Sequence, residues 1–273
     1  VKVDFRLAAL SAADRLMLEF VEKLTLAPWL VEEPDVVGLR RAGWSDPEVL
    51  HIVLGCAHFN YLNRMADGTG IRSEYASALP ASPPRAPRAP VEGSPPVAPE
   101  GGERMAWIGT TADAVESDDP DEPVNLLRAM GANPEAAAEA RRWRAHQLAG
   151  TPDLEAPLRA RIALFVAALD RCAYGLGRSR RRLEALGAAG GLEALLEGRI
   201  PERSSGRERL VLAHARQLTR APGSTREAHV QELRAAGLDD TAVVRLTMLV
   251  SYLSFEHRVA LGLGVVPERP QER

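Results

Sequence analysis

Leu16–Ile71 reads LMLEFVEKLTLAPWLVEEPDVVGLRRAGWSDPEVLHIVLGCAHFNYLNRMADGTGI, and Leu210–Val265 reads LVLAHARQLTRAPGSTREAHVQELRAAGLDDTAVVRLTMLVSYLSFEHRVALGLGV. The two align without a gap at a constant offset of 194 residues, from Leu16 to Leu210 and from Ile71 to Val265 alike. About a third of the paired positions are identical, among them Leu24-Thr25 with Leu218-Thr219, Ala27-Pro28 with Ala221-Pro222, and Arg64 with Arg258. Gly68 and Gly70 likewise match Gly262 and Gly264. Chance does not keep register over such a length. A period this long marks a repeated domain rather than a solenoid, whose repeats are a few tens of residues. Two related lobes are expected.

Inside the first copy the periodicity is helical. Ser11 and Asp14 suit a capping box, and Leu16, Phe20 and Leu24 form one apolar stripe at helical spacing that stops before Pro28. A short helix over 34–42 should end at Gly43, a residue suited to a helix C-cap. Ser45 or Asp46 then caps a third helix, over 47–66, with Pro47 in its first turn. That helix is apolar on nearly every face (Val49, Leu50, Ile52, Val53, Leu54, Phe59, Leu62), which marks a buried element. In the second copy Asp239 and Asp240 replace Ser45 and Asp46 as caps.

Between the copies the text changes. The run ALPASPPRAPRAPVEGSPPVAPEGGE, followed by an acidic stretch over 116–122, reads as a semi-rigid spacer without a core of its own. Helices should resume over 125–130 and 134–148, the latter capped by Asn133. An apolar helix over 158–169 follows. A turn over 171–177 leads into a basic helix ending at Gly187, and a loop precedes the second copy. The expected domains are a partial first lobe (1–78), a Pro-rich and acidic linker (79–123), a second lobe (124–266) and a tail (267–273).

Composition supports an all-α chain: Ala, Leu and Arg dominate, and aromatics are few. Thirty-four Lys and Arg against 37 Asp and Glu leave a net charge of −3, with the signs interspersed, so no broad electrostatic surface for nucleic acid exists. The local run RSRRR over 178–182 suits a solvated helix face. No apolar run reaches the ~18 residues of a membrane helix, and the N-terminus lacks the apolar core of a signal peptide. Two distant cysteines form no disulfide framework, which fits a reducing, cytoplasmic setting. No membrane or nucleic-acid partner is expected.

Polar residues embedded in the two apolar helices are the candidates for function. Asn60, Asn63 and Arg64 share one face, and Ser254, His257 and Arg258 hold the equivalent positions. A buried guanidinium needs carboxylates, carbonyls or an interface, so these residues either lock helix packing or line a polar pocket for a small anion or carbonyl substrate. Cys56 and His58, two apart, point to different faces and suit neither a metal nor a nucleophile–base pair. His51 and His58 share a face. A metal or haem site on His51, His58 or His257 is the weaker alternative, and no resident metal or cofactor is expected. Cys172 begins Cys-Ala-Tyr-Gly at a helix start, where the dipole and Arg171 and Arg178 would favour a thiolate; a small buried turn residue is the other reading. Tyr174 beside it is a candidate substrate contact.

The segment LRARIALFVAALDRCAYGLGRSRRRLEALG (158–187) resembles the characteristic helix–turn–helix of the AhpD-like, or carboxymuconolactone decarboxylase, superfamily. The strings LTLAP, LRRAGWSDPEVL and FNYLNRMADGTGI resemble the C-terminal helices of its peroxidase-related branch. The resemblance covers 16–71 and 124–265. It implies an AhpD-like helical bundle, a small organic substrate or peroxide, and a homo-oligomer. Peroxidases of this kind use a glutamate and Cys-x-x-Cys-x-x-x-His as a relay. Here the first cysteine position holds Cys172, the second holds Gly175, the histidine position Ser179 and the glutamate position Ala160. The first lobe has no counterpart of this segment, which is either lost or upstream of Val1. Without a resolving thiol or a proton relay, the two-cysteine alkylhydroperoxidase reaction is not expected. What remains is a divergent cofactor-free enzyme or a one-cysteine peroxidase, with Cys172, His58 and His257 as catalytic candidates. Tyr174, Asn60, Asn63, Arg64 and Arg258 are the corresponding substrate contacts. The alternative is a non-catalytic relative kept for binding or assembly.

Overall fold

The computed structural model describes residues 4–71, 105–110, 122–148 and 154–268. Among them the chain forms eleven α-helices and no strand, the all-α class that composition and periodicity predict. The first copy of the repeat gives α1 (Ala12–Leu26), α2 (Glu33–Arg41) and α3 (Asp46–Thr69). Ser11 Oγ accepts from the Asp14 amide at 3.0 Å and starts α1. The Ser45 amide donates to Glu48 at 2.7 Å and starts α3. Gly70 ends α3 in the left-handed region (φ 70°), which only glycine enters freely.

Five helices follow: α4 (Val124–Ala129), α5 (Pro134–Leu148), α6 (Ala156–Leu169), α7 (Ala173–Ala185) and α8 (Leu192–Leu196). The second copy closes the chain as α9 (Gly206–Arg220), α10 (Glu227–Ala235) and α11 (Asp240–Leu263). Every bound of α9, α10 and α11 falls 194 residues after its counterpart in α1, α2 and α3.

Three local readings change. The expected turn over 171–177 is shorter: α7 already begins at Ala173, because Cys172 acts as its N-cap and its sulfur accepts from the Gly175 amide at 3.4 Å. The loop before the second copy contains α8. Within the expected linker, Met105–Thr110 is packed: Ala106 and Ile108 are buried, and the Trp107 amide donates to the Leu263 carbonyl at 2.7 Å. The Pro-rich run up to Glu103 and the acidic stretch before Glu122 lie outside the described residues.

The organising contact is α3 against α11. Both helices are 24 residues long, and both carry a glycine where they cross. A Cβ on Gly68 would meet Thr247 at 2.5 Å and Leu218 at 3.0 Å. A Cβ on Gly262 would meet the corresponding pair, Val53 at 3.0 Å and Leu24 at 3.1 Å. Around this crossing one apolar cluster joins α1, α2 and α3 to Ile108, Leu126, Tyr252, Phe255 and Val259. A second joins α6, α9 and the other face of α11. The two lobes therefore share a core through α11. Leu24, Leu39, Leu50 and Val53 have no exposed surface, each burial stabilising by about 1.5–3 kcal/mol.

His214 of α9 interrupts the second cluster. It is 4% exposed and neither ring nitrogen has a hydrogen-bond partner. The first copy has Phe20 at this position. Burial, with the charge of His229 added, pushes the His214 imidazole down to about 4.

Two predictions follow from these contacts. Gly68→Ala should destabilise by about 1–3 kcal/mol through overpacking at the crossing. Gly55→Ala, on the same helix where an added Cβ meets nothing within 4 Å, should stabilise by up to ~1 kcal/mol. Urea unfolding of the two variants checks this; equal effects would remove the crossing from the account. For His214, the ordinary value of 6.5 lies above the folded one, so the unfolded chain binds more protons between the two. Stability should be unaffected above pH 6.5 and fall as pH drops toward 4, by ~3 kcal/mol in all. His214→Phe should remove that part of the acid slope; an unchanged slope would assign it elsewhere.

Candidate functional site

The α6–α7 turn brings an acid, a cation and a thiol together in sequence. Asp170 caps α6, Arg171 takes the left-handed conformation (φ 52°) and Cys172 opens α7. Such a φ is strained for a residue with a side chain. Here it lays the Arg171 guanidinium 5.1 Å from the centre of the Trp29 ring.

Asp170 Oδ2 lies 2.8 Å from His257 Nδ1, and the two residues are 3% and 1% exposed. Burial alone would push the Asp170 carboxyl up. The hydrogen bond and charge of His257, with Arg258 and Arg64 nearby, outweigh this and hold it below its usual range. An ionised carboxylate only accepts, so Nδ1 of His257 donates to it, and in the neutral imidazole Nε2 would then keep its lone pair. Nε2 points at Gly175: a Cβ built there would collide with it. The imidazole thus stands directly behind the position that the family resemblance assigns to the second cysteine.

Gly175 also lines a cleft of about 310 Å³, together with Ala160 and Ser179, the other two positions at which the relay is missing. Its charged lining is Arg141, Arg144, Arg159, Arg178 and Arg182 against Glu122 and Glu256. Glu256 is fully buried and still sits below its usual pKa: burial opposes ionisation, and Arg144 and Arg178 outweigh it. It accepts from Arg144 at 3.2 Å and from the Tyr252 hydroxyl at 3.0 Å. The cleft is cationic overall and suits an organic anion.

The sequence candidates are not brought together as one site. Cys172 has no exposed surface, and burial, with the charges of Asp170 and Glu256, pushes its thiol up to about 12. The thiolate expected from the helix start does not form, because burial outweighs the N-terminal dipole. Tyr174 is buried and donates its hydroxyl to Glu268 at 2.7 Å, so it fastens the chain after α11 rather than facing a substrate. His58 is exposed and stacks on Tyr61; His51 is exposed and 3.0 Å from the Asn133 amide. Neither is the buried histidine expected. Among the described residues no group of three or more His, Cys, Asp or Glu could hold a metal.

Arg64 and Arg258 form a reciprocal pair. Arg64 donates to the Asn60 carbonyl and to Thr219 O at the end of α9 (3.3 Å). Arg258 donates to the Ser254 carbonyl and to Thr25 O at the end of α1 (3.0 Å). Each arginine thus staples the last turn of the other copy's first helix, where free carbonyls and the dipole favour a cation. Asn60 is buried and bonded to Thr25 Oγ1 at 3.1 Å, whereas Asn63 is exposed. Asp170, Glu256 and Trp29 were not singled out from the sequence. The carboxylates had a signal: each is a charge at or inside an apolar helix, the argument that picked out Arg258.

No protein-family profile matches the chain, and no curated protein is similar to it in sequence. A solved structure is similar: an uncharacterized peroxidase-related protein from Silicibacter sp. TM1040, at 23% identity and a TM-score of 0.52. The likeness covers 61% of this chain and 96% of that one. At this identity the likeness is one of fold: the two chains share an all-α helical architecture. No helix among the described residues is long and apolar enough to cross a membrane.

The thiol geometry generates a test. In the native protein both Cys172 and Cys56 should resist a thiol reagent such as DTNB at pH 8, and two thiols should react once the chain is unfolded. Rapid native labelling lost in Cys172→Ser would contradict the burial.

Proposed function

We propose that the chain is a cofactor-free enzyme on the AhpD-like scaffold that moves a proton on a small organic anion, with the Asp170–His257 pair as the base. One observation carries this reading: His257 Nε2, freed by the Nδ1 bond to Asp170, lies against side-chain-free Gly175 on the wall of an arginine-lined cleft. A carboxylate of the substrate would be gripped by Arg159 and Arg182, which line that cleft. Nε2 then takes a proton from the carbon next to an activating carbonyl. The C–H pair delocalises into that carbonyl, and the imidazolium is held by the Asp170 carboxylate until the proton returns. Proton return at another atom isomerises the substrate; loss of a carboxylate instead would give a lyase.

Peroxide reduction is the reading we set aside, since it needs a thiolate and the Cys172 thiol is buried and poorly acidic. The non-catalytic alternative is favoured by the missing relay and by the stapling use of Arg64 and Arg258. Self-association belongs to the proposal as well. Phe59 and Leu62 are 65% and 42% exposed on one side of α3, an apolar stripe suited to a second copy.

Incubation in D2O with a panel of small keto acids, unsaturated dicarboxylates and lactone acids, followed by NMR, tests the reading. Carbon-bound hydrogen should exchange, or carbon dioxide be lost, with at least one compound, and the rate should fall about a hundredfold or more in His257→Gln. Panel compounds that bind but neither exchange nor react would favour the non-catalytic relative.

A further inference from the structure

A second cleft, of about 790 Å³, opens where the ends of α1 and α9 meet the C-terminal parts of α3 and α11. It is separate from the arginine-lined cleft of α6 and α7. Arg64, Arg258 and Asp170 line it, with Trp29, Asn63 and Arg220.

The donors here exceed the acceptors. Each guanidinium has five N–H groups. Arg64 uses three of them, on the Asn60 carbonyl, the Asn60 side chain and Thr219 O; Arg258 uses two, on Ser254 O and Thr25 O. The Nε atoms of both, although the residues are only 4% and 2% exposed, have no partner. Trp29 Nε1 is also buried without one. Arg220 makes no hydrogen bond among the described residues and rests 5.8 Å from the centre of the Trp29 ring. Three guanidiniums face two carboxylates, Asp67 and Asp170, and Asp170 is already bonded to His257. The strain of this arrangement falls on Arg64, which burial and the charge of Arg258 push down to about 9. Buried donors left without acceptors are costly, so an oxygen-rich anion seated here would be stabilised by groups already in place.

We infer that this cleft between the two copies binds a small oxyanion, a carboxylate or a phosphate. Arg220 and Asn63 grip it at the rim, and the remaining N–H groups of Arg64 and Arg258 lie beneath. The Trp29 ring is its apolar wall. The inference stands apart from the proton-transfer reading, because it uses neither His257 Nε2 nor the α6–α7 cleft.

Calorimetric titration with inorganic phosphate and, separately, with succinate tests it on the wild type and on Arg220→Ala, Asn63→Ala and Arg159→Ala. Both rim substitutions sit outside the core, and circular dichroism checks their folding. At least one probe should bind saturably, and its affinity should fall about tenfold or more in each rim variant while persisting in Arg159→Ala. The probe that binds tells a carboxylate site from a phosphate site. No saturable binding of either would overturn the inference. So would affinity that survives both rim substitutions, or that disappears only in Arg159→Ala, which would put the anion in the other cleft.

Discussion

Two guanidiniums buried at the crossing of α3 and α11 set the terms for the rest of the molecule. A guanidinium with 2% or 4% of its surface exposed cannot rely on water. The chain answers with helix ends: Thr25 and Thr219 sit in the last turns of α1 and α9, where carbonyls lack helical partners. Because each arginine reaches across to the other copy, neither copy can satisfy its own charge alone. Gly68 and Gly262 serve the same geometry from the apolar side, letting two long helices approach until Thr247 and Val53 touch the opposite backbone. Polar satisfaction and close packing therefore demand the same pairing of copies.

The symmetry at the crossing is broken at its polar positions. Asn63 corresponds to His257, and Leu62 to Glu256. Leu62 is 42% exposed, whereas Glu256 is buried against Arg144 and Tyr252. The difference comes from what covers each helix. In the second copy α6 and α7 pack on α11 and enclose its polar residues. A shared backbone plan thus yields one enclosed Asp–His pair and one exposed apolar stripe.

The fold was largely legible in the sequence because its signals are local. Ser11, Ser45 and Asp239 are helix starts by their own chemistry, and Gly43 and Gly70 are stops. The alignment at a fixed offset extends those signals to both copies, which is why α9, α10 and α11 could be placed from α1, α2 and α3. The site was less legible, for a physical reason. Whether Cys172 is a nucleophile depends on its burial, which its neighbours in sequence do not reveal. The dipole argument was sound, yet a thiol with no exposed surface gains less from a helix start than it loses in desolvation. His58 failed in the opposite sense: an apolar helix was read as buried all round, but its outer side is uncovered. Asp170 and His257 lie 87 residues apart, and only the packing of α6 on α11 makes them a pair.

That pairing also bears on the position that the family resemblance assigns to a second cysteine. A side chain at 175 and the His257 ring require the same space, since a Cβ there would collide with Nε2. A second cysteine at 175 and an imidazole in this position are mutually exclusive without a shift of α7 against α11. A residue without a side chain at 175 is thus the condition for His257 to stand where it does. Ala160 and Ser179 line the same cleft with small side chains. They leave room in the cleft, and the arginines around them give it a charge suited to an anion. Cys172 has a structural use: its sulfur caps α7, with Cys172 N on Ala167 O holding the turn that presents Asp170. What holds the scaffold together, the arginine and glycine crossing, lies elsewhere and leaves this turn free to vary.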